Sequence, residues 1–277
     1  MFFSLKGDKM ANFFKDNLEK VSNGSLARYY TGAILVSLVV LIIVLNIKFL
    51  LWAVLGVCYL LAFAESCKLF ALQERTHLYA TAILIWIVAY FYKGSPLYIA
   101  ILALAILASY NAFNNHTKSK DYVVLIYPTI PFLCLFGVYA DFGAMAIVWL
   151  IAIVAVSDSC AYFGGKAFGK SPLSPVSPKK TIEGALIGLI VASMVGTLIG
   201  ITIKLNGVSI GFISSFFISV CVAFISIFGD LFESMLKRVA NVKDSGNILP
   251  GHGGVLDRVD GILFGGIAFV FLLEWVK

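Results

Sequence analysis

Charged residues are scarce in this sequence: they make up 13% of its 277 residues, about half of their share in an average soluble domain. Signatures of covalent catalysis are missing as well, because the chain has no Ser-His-Asp order, no GxSxG segment and no zinc-ligand spacing. The five cysteines include no CxxC pair, so we expect neither a disulfide framework nor a zinc site. These absences argue against a separate soluble domain and against a covalent mechanism.

Hydrophobic residues, by contrast, account for 60% of the chain and form long runs without charge. A helix needs about 20 residues to cross a bilayer, within a range of about 17–25, and flanking Lys, Arg, Tyr and Trp residues extend the shorter runs to the interface. The sequence therefore predicts an all-α polytopic membrane protein with about nine transmembrane helices, of which the third and ninth are the weakest. The uncharged runs cover residues 29–47, 49–64, 78–92, 94–115, 122–140, 142–157, 184–203, 205–229 and 261–273.

These runs divide the chain into three regions. Residues 1–28 carry several charges and predict an amphipathic segment on the membrane surface, or a disordered lead-in. Residues 29–140 predict N-terminal transmembrane helices that serve as a scaffold, and residues 141–277 predict a C-terminal catalytic region. Because the first five spans exceed what one active site needs, we also expect that they supply contacts for a homodimer.

Basic residues are distributed unevenly about the predicted spans. If the N-terminus is cytoplasmic and all nine spans cross, every one of the 21 Lys and Arg residues faces inward except Lys48, Lys93, Lys204 and Lys277. The positive-inside rule describes this asymmetry. We therefore expect an integral protein of the bacterial inner (cytoplasmic) membrane, with its polar motifs facing the cytoplasm. Orientation and anionic lipid then explain the net charge of +6, and no nucleic acid partner is expected.

Acidic residues gather at the ends of the last two predicted spans. Asp230 ends span eight, whereas Asp257 and Asp260 open span nine with a spacing that places both on one helix face. Mg²⁺ prefers carboxylate oxygens together with water and substrate phosphates. The sequence therefore predicts that these three aspartates bind Mg²⁺. The structural alternative is that each aspartate caps a helix or pairs with a neighbouring arginine.

Basic residues lie close to these carboxylates in the sequence. At a membrane surface Lys and Arg often only anchor to lipid headgroups, but beside three carboxylates we expect them to hold phosphates. Ser234 follows Asp230 by four residues and so lies on the same helical face. The candidate catalytic residues are Asp230, Lys237, Arg238, His252, Asp257 and Arg258.

A glycine-rich loop, GHGG at residues 251–254, precedes the last span. Glycines let the backbone approach a ligand closely, and successive amides in such a loop can form an anion-binding nest. The alternatives are an ordinary tight turn for the loop and a hydrogen bond within the loop for His252. The candidate substrate-binding residues of this region are Ser234, Lys243, Asp244, Gly253 and Gly254.

A second polar cluster occupies residues 158–184. Its glycines predict a flexible loop or, alternatively, a helix-packing motif, and three prolines stiffen the segment that follows. No GKS or GKT follows the glycines at the required spacing, so the segment is not a Walker A loop. Hydroxyl and ammonium donors here suit a triphosphate, and the glutamate is a partner for a ribose, a base amine or Lys180. The candidate substrate-binding residues are Ser177, Lys179, Lys180, Thr181 and Glu183.

These two clusters resemble the phosphatidate cytidylyltransferase (CDP-diacylglycerol synthase) family. Residues 234–260 match its C-terminal signature throughout, S-x-x-K-R-x4-K-D-x-G-x3-P-G-H-G-G-x-x-D-R-x-D. Residues 158–169 and 177–184 match the upstream elements D-x-x-A-Y-F-x-G-x-x-F-G and S-P-x-K-T-x-E-G. The chain departs from the family at Ser245, where an aromatic residue is frequent. It departs again from Gly261 onwards, where the family often has a Ser and then a Pro.

The resemblance implies the reaction CTP + phosphatidic acid → CDP-diacylglycerol + diphosphate. It implies CTP, phosphatidic acid and the lipid bilayer as partners and a divalent metal as cofactor, with K⁺ as a candidate second ion. Asp230 and Asp257 are then the best metal ligands, with Asp260 next. A lipid phosphate oxygen would attack the α-phosphorus of CTP in line, and no strong base is needed because phosphatidate is already anionic at neutral pH.

Two other readings remain open from the sequence. A transporter or channel would also carry charges near apolar spans, but such sites usually lie at the bilayer midplane between repeats, and no repeat is visible here. A CTP-dependent lipid kinase, or another nucleotidyltransferase, would share the same chemistry. Product analysis separates them, because a synthase yields a CMP-bearing lipid with diphosphate whereas a kinase yields CDP with a phosphorylated lipid.

Overall fold

Helices dominate the computed structural model, which describes residues 32–34, 36–72, 75–114, 119–249, 251 and 253–276. The predicted surface segment at residues 1–28 and His252 lie outside the described residues. Long apolar sequences favour helices because a helix satisfies its backbone hydrogen bonds internally, as hydrocarbon requires. The helices are α1 (Gly32–Leu45), α2 (Lys48–Leu69), α3 (Thr76–Phe91), α4 (Leu97–Phe113), α5 (Ser119–Ile126), α6 (Thr129–Phe142), α7 (Ala144–Phe168), α8 (Ile182–Thr202), α9 (Phe212–Val239) and α10 (Leu256–Val276).

Six helical segments in the described part of the chain are long and apolar enough to cross a membrane. Helices α1, α3 and α4 are apolar but shorter than these six. The mainly helical class of an integral membrane protein is thus confirmed, whereas the predicted number of nine spanning helices is not. The six segments are Lys48–Leu69, Lys120–Phe142, Ala144–Phe168, Ile182–Thr202, Phe212–Val239 and Leu256–Val276.

Two short antiparallel hairpins connect the C-terminal helices. Strands β1 (Pro172–Ser174) and β2 (Ser177–Thr181) pair in the loop between α7 and α8. Strands β3 (Lys204–Leu205) and β4 (Val208–Ser209) pair between α8 and α9. Asn206 and Gly207 join β3 to β4 with φ of 47° and 87°, the left-handed backbone that a type I′ turn needs. The first hairpin brings its residues back over the ends of the helices that it connects.

A stripe of small residues lets α8 approach its neighbours closely. A Cβ on Gly188 would lie 2.5 Å from the carbonyl oxygen of Ser157 in α7, and one on Gly196 would lie 2.6 Å from the hydroxyl oxygen of Ser219 in α9. Membrane helices commonly pack through small residues in this way. Helix α8 therefore lies against both α7 and α9 along a buried stripe that repeats every four residues, at Gly184, Gly188, Ala192, Gly196 and Gly200.

The crossing of α9 and α10 also depends on a glycine. A Cβ on Gly229 would lie 2.6 Å from the carbonyl oxygen of Asp260 and 2.9 Å from the Cβ of Phe264. The two helices consequently pass closest where α9 is about to reach Asp230 and where α10 has just begun. The C-terminal end of α9 and the N-terminal end of α10 are thereby brought to the same place.

The N-terminal helices pack around aromatic side chains instead. The rings of Trp86 and Phe132 contact the fully buried Tyr59 in tilted arrangements, at centroid distances of 5.1 and 5.6 Å. The indole N–H of Trp52 donates to the carbonyl of Trp86 (3.0 Å), and the indole of Trp86 donates back to the carbonyl of Trp52 (3.2 Å). Large rings fill the space between α2, α3 and α6. Around α8, by contrast, the glycine stripe lets the helices pack so closely that no such space remains.

Candidate functional site

Four helix ends and the first hairpin surround a cavity of about 650 Å³. Its walls are formed by the C-terminal parts of α7 and α9, the N-terminal ends of α8 and α10, and strand β2. Charges in such an apolar chain are costly and usually mark a working site. Both signs of charge are present in the lining: Asp158, Asp230, Asp244, Asp257 and Asp260 face Lys166, Lys179, Lys180, Lys237 and Arg258.

Most of the residues predicted from the sequence line this cavity. Those that do are Ser177, Lys179, Lys180, Thr181, Asp230, Lys237, Asp244, Asp257, Arg258 and Asp260. The predicted residues outside the described lining are Glu183, Ser234, Arg238, Lys243, Gly253 and Gly254. Residues that are distant in the sequence, at 177–181 and at 230–260, are therefore adjacent in the fold.

Asp257 is the most heavily bonded carboxylate of the site. Its Oδ1 accepts from Lys237 Nζ at 2.7 Å. Its Oδ2 accepts from the amides of Ser245 and Gly254, each at 2.8 Å, and lies 2.9 Å from the Ser245 hydroxyl. Gly253 turns the loop around this oxygen with φ of 82°, and a Cβ there would lie 2.8 Å from it. The glycine loop predicted to hold a substrate anion thus donates Gly254 N–H to a carboxylate of the protein itself.

Glu233 is a functional candidate that the sequence reading missed. It is fully buried in α9, and neither carboxylate oxygen has a hydrogen-bond partner among the described residues. Lys237 Nζ lies 3.4 Å from Oε2, and Asp260 interacts with the same carboxylate. The sequence nevertheless contains a feature that could have identified Glu233. It lies three residues after Asp230 and four before Lys237, which places all three on one helical face.

Lys180 connects the first hairpin to α9. Its ammonium forms an ion pair with Asp230, and the hydroxyl of Ser234 lies 3.5 Å from the same carboxylate. Burial lowers the pKa of Lys180 from its ordinary value, while the nearby Asp158 and Asp260 carboxylates oppose that shift. Asp158 opens the second polar cluster of the sequence but was not among the candidate site residues, and it lies in the cavity wall in the C-terminal half of α7.

Three other predicted residues have local structural contacts. Glu183 accepts the amides of Lys170 (3.1 Å) and Ser171 (3.2 Å), which ties the loop after α7 to the start of α8. Thr181 caps α8 by accepting Gly184 N–H at 3.2 Å. Exposed Arg238 donates to the carbonyl of Val242 at 3.3 Å, beyond the end of α9. Glu183 and Arg238 therefore shape the loops beside the cavity.

The carboxylates fit a divalent cation that is held partly by substrate. Among the described residues, no group of three or more His, Cys, Asp or Glu side chains is arranged to hold a metal ion. Mg²⁺, however, usually takes one or two protein carboxylates together with water and substrate phosphates. Asp230 and Asp260 line the cavity, and beside Asp260 the buried oxygens of Glu233 have no hydrogen-bond partner in the described part of the chain. Asp257 has less free capacity than Asp230, because four donor groups lie within 2.9 Å of its oxygens, whereas Asp230 pairs with Lys180 and lies 3.5 Å from the Ser234 hydroxyl.

Comparisons with known proteins agree with the predicted family. The chain is 45% identical over 251 residues to a phosphatidate cytidylyltransferase of Helicobacter pylori, which covers 91% of this chain and 92% of the relative. It is 40% identical over 147 residues to one of Thermotoga maritima (51% of this chain, 54% of the relative). It is 27% identical over 258 residues to one of Aquifex aeolicus (92% and 94%). The model of the cytidylyltransferase family matches residues 26–276, so this chain belongs to that family.

Proposed function

We propose that this chain is a phosphatidate cytidylyltransferase, which transfers CMP from CTP to phosphatidic acid and releases diphosphate. The observation that carries the proposal is the cavity, where five aspartates and five basic side chains meet at the ends of apolar helices. The family match and the relatives of the same name support it. A cavity of about 650 Å³ lies within the usual range of about 300–1,000 Å³ for small-molecule sites.

The reaction is an in-line displacement at the α-phosphorus of CTP. A non-bridging oxygen of the phosphatidate phosphate forms the new P–O bond, the bond from the α-phosphorus to the bridging oxygen breaks, and diphosphate leaves with the electron pair. Little covalent work is left for the protein, so positioning and charge stabilisation dominate. No general base is needed because the attacking phosphate is already an anion at neutral pH.

The basic residues of the cavity provide the charge stabilisation. Lys179 and Lys180 come from the hairpin, and Lys237 and Arg258 come from the helix ends. Ammonium and guanidinium groups bind phosphate oxygens through charge-assisted hydrogen bonds. We assign the hairpin lysines to the CTP phosphates, because β2 forms the wall that faces Asp230.

A divalent cation, Mg²⁺ in this proposal, would neutralise the phosphates and polarise the reacting phosphorus when it is bound. Asp230 and Asp260 are its proposed ligands. Asp257 is proposed to contribute through the oxygen that now accepts from Lys237. Glu233 is proposed as a further acidic group beside them, because its buried carboxylate lies next to Asp260 and Lys237. K⁺ remains a candidate second ion.

The cavity is proposed to face the cytoplasm from the bacterial inner membrane. CTP is a cytoplasmic nucleotide, and the many Lys and Arg residues in the segments around the cavity support an inner-side position by the positive-inside rule. A site that opens beside the helix ends lets a water-soluble nucleotide meet the headgroup of a membrane lipid. A homodimer through the N-terminal helices and the absence of a nucleic acid partner also remain part of the proposal.

The test is transfer of label from α-phosphate-labelled CTP into lipid by the purified full chain, with phosphatidate present and Mg²⁺ varied. The expected product is a CMP-bearing lipid together with one diphosphate for each lipid formed. Release of CDP with a phosphorylated lipid would identify a kinase instead. Absence of any labelled product at saturating substrates and metal would refute the proposal.

A further inference from the structure

One buried carboxylate of the N-terminal half reaches the C-terminal site. Glu65 lies near the end of α2 and is 1% exposed. A carboxylate buried in an apolar membrane protein is costly unless donors surround it. Its Oε1 accepts the amide of Val255 at 3.0 Å, and its Oε2 accepts the amide of Leu256 at 2.8 Å. These amides lie at the start of α10, where backbone N–H groups are free and the helix dipole attracts an anion.

Ser245 continues this contact towards the cavity. Its hydroxyl oxygen lies 3.1 Å from Glu65 Oε2 and 2.9 Å from Asp257 Oδ2. A hydroxyl has one hydrogen to donate, so the two carboxylates share it. Asp257 in turn accepts from Lys237 at 2.7 Å. A chain of direct contacts therefore runs from α2 through Ser245 to the carboxylate and ammonium of the cavity.

The loop before α10 also packs closely on the Glu65 side chain. A Cβ on Gly246 would lie 2.5 Å from Oε1, and a Cβ on Gly254 would lie 2.6 Å from both carboxylate oxygens. Both positions need glycine because the backbone passes so near. The loop is thus folded around Glu65, which lies 180–191 residues away in the sequence from the groups that it binds.

We propose that Glu65 is a positioning residue for CMP transfer. By fixing the loop at residues 245–256 and the start of α10, it holds Asp257 against Lys237 at the cavity. This inference rests on the proposed function, since positioning is measured as turnover. It gives the N-terminal helices a part in the reaction geometry, beyond that of a scaffold.

Glu65→Gln is the first test. Glutamine keeps the shape of the side chain, but one of its oxygens becomes an NH₂ group that faces a donor instead of accepting from it. We expect kcat to fall by roughly 10- to 100-fold, the usual range when a group behind a metal ligand is lost. The KM for CTP should change much less, because the hairpin lysines are untouched. Hydrogen exchange at residues 245–256 should become faster than in the wild type.

Asp121→Asn is the matched control. Asp121 is also a 1% exposed carboxylate of the N-terminal half, but its ion pair is with Arg75, away from the loop. This variant should unfold at a lower temperature in detergent while kcat per folded enzyme and exchange at residues 245–256 stay at wild-type values. An equal loss of kcat in both variants would show general destabilisation and would overturn the inference.

Ser245→Ala provides a second route if Glu65→Gln does not fold. It removes the shared hydroxyl and leaves the capping of α10 intact, so a smaller fall in kcat is expected, with faster exchange in the loop. Wild-type kcat in every foldable variant, or unchanged exchange, would overturn the inference. If the wild-type chain itself forms no labelled lipid, the proposed function fails. Hydrogen exchange at the loop amides then decides by itself whether Glu65 anchors the loop.

Discussion

The two halves of the molecule handle buried charge in opposite ways. In the N-terminal half, Asp121 is buried and closed off by an ion pair with Arg75. In the C-terminal half, Lys237 lies between Asp257 and Glu233 at the edge of an open cavity. The first arrangement pairs one carboxylate with one guanidinium, whereas in the second a single ammonium contacts two carboxylates and the Glu233 oxygens have no hydrogen-bond partner in the described part of the chain.

Packing differs between the halves in a matching way. In the N-terminal half, the rings of Tyr59, Trp86 and Phe132 fill the space between the helices. In the C-terminal half, the glycine stripe of α8 lets the helix backbones come into close contact. Close backbones hold helix ends at fixed distances, which a site for phosphoryl chemistry requires. The comparison therefore indicates that the N-terminal half mainly supplies stability and the C-terminal half mainly supplies geometry, with Glu65 as a contact between them.

The largest effect on turnover is expected from Asp257→Asn. The asparagine side chain has one carbonyl oxygen, so it cannot accept from Lys237 and from the backbone N–H groups of Ser245 and Gly254 at the same time. The substitution also removes the negative charge that faces the Lys237 ammonium. We expect CMP transfer to fall by at least about 100-fold, the scale of losing one group that stabilises the transition state. Label transfer from CTP to lipid measures this, and thermal unfolding in detergent is expected to show a folded protein.

Asp141→Asn is the control for this prediction, because Asp141 is exposed at the end of α6 and does not line the cavity. It should retain wild-type turnover. If Asp257→Asn were as active as this control, Asp257 would have no role in the reaction.

The next largest effect is expected from Lys180→Met. Loss of a charge-assisted hydrogen bond, at about 1.5–3 kcal/mol, should raise the KM for CTP by roughly 10- to 100-fold. Burial lowers the pKa of Lys180, so its ammonium should lose its proton at a pH below the ordinary lysine pKa of about 10.4. The affinity of the wild type for CTP should therefore begin to decline below that pH as the pH is raised. That decline should be missing in the variant, since it has no ammonium to deprotonate.

The pH dependence of the KM for CTP, measured with wild type, Lys180→Met and the exposed hairpin control Lys204→Met, checks this prediction. Lys204 lies in β3, outside the described lining of the cavity. A KM for CTP that rises equally in both variants would point to a general loss of positive charge and not to a contact of Lys180.

These sites also show how far the sequence alone leads. Asp230, Asp257 and Asp260 could be predicted as neighbours because charges are rare in the chain and these three lie at the ends of apolar runs. Glu65 could not, since it is a single acid within a helix and its partners are far away in the sequence. Glu183 is predicted to bind substrate from its residue type, and residue type alone does not reveal that its carboxylate also accepts two backbone amides.

The predicted number of nine spanning helices is not confirmed, because helices such as α1 and α4 are shorter than the uncharged runs that contain them. An uncharged run continues through turns that end a helix: Asn46 follows α1 with φ of 46°, and Pro96 precedes α4. The helices inside those runs are consequently shorter than the runs themselves. The glycine stripe of α8, by contrast, is visible in the sequence as small residues spaced by four, so the close packing there was open to prediction.

A moderate effect is expected from Gly188→Ala. The new methyl group would lie 2.5 Å from the carbonyl oxygen of Ser157, so α7 and α8 must separate. Overpacking of this kind costs typically 1–3 kcal/mol, and turnover should fall several-fold because the hairpin and its lysines move with α8. Thermal unfolding and label transfer, measured on the same preparation, check both parts.

Gly265→Ala is the matched variant, because a Cβ there would meet its nearest atoms at 3.4 Å, an ordinary contact. It is also a glycine in the interior of a helix, so both variants gain the same helix propensity. Gly265→Ala should be as stable as the wild type and fully active. Equal behaviour of the two variants would mean that close approach of α7 and α8 is not what fixes the site.

The smallest effect on turnover is expected from Trp86→Phe, which tests the N-terminal side of the comparison. The variant loses the indole bond to the carbonyl of Trp52 (3.2 Å) and leaves that carbonyl without this donor. The cost should be about 1–3 kcal/mol of unfolding free energy, measured by denaturation in detergent, with turnover per folded enzyme unchanged. Because Trp86 touches neither the cavity nor Glu65, a fall in kcat parallel to the loss of stability would show that the aromatic core transmits strain to the site. The division between a stabilising half and a positioning half would then be wrong.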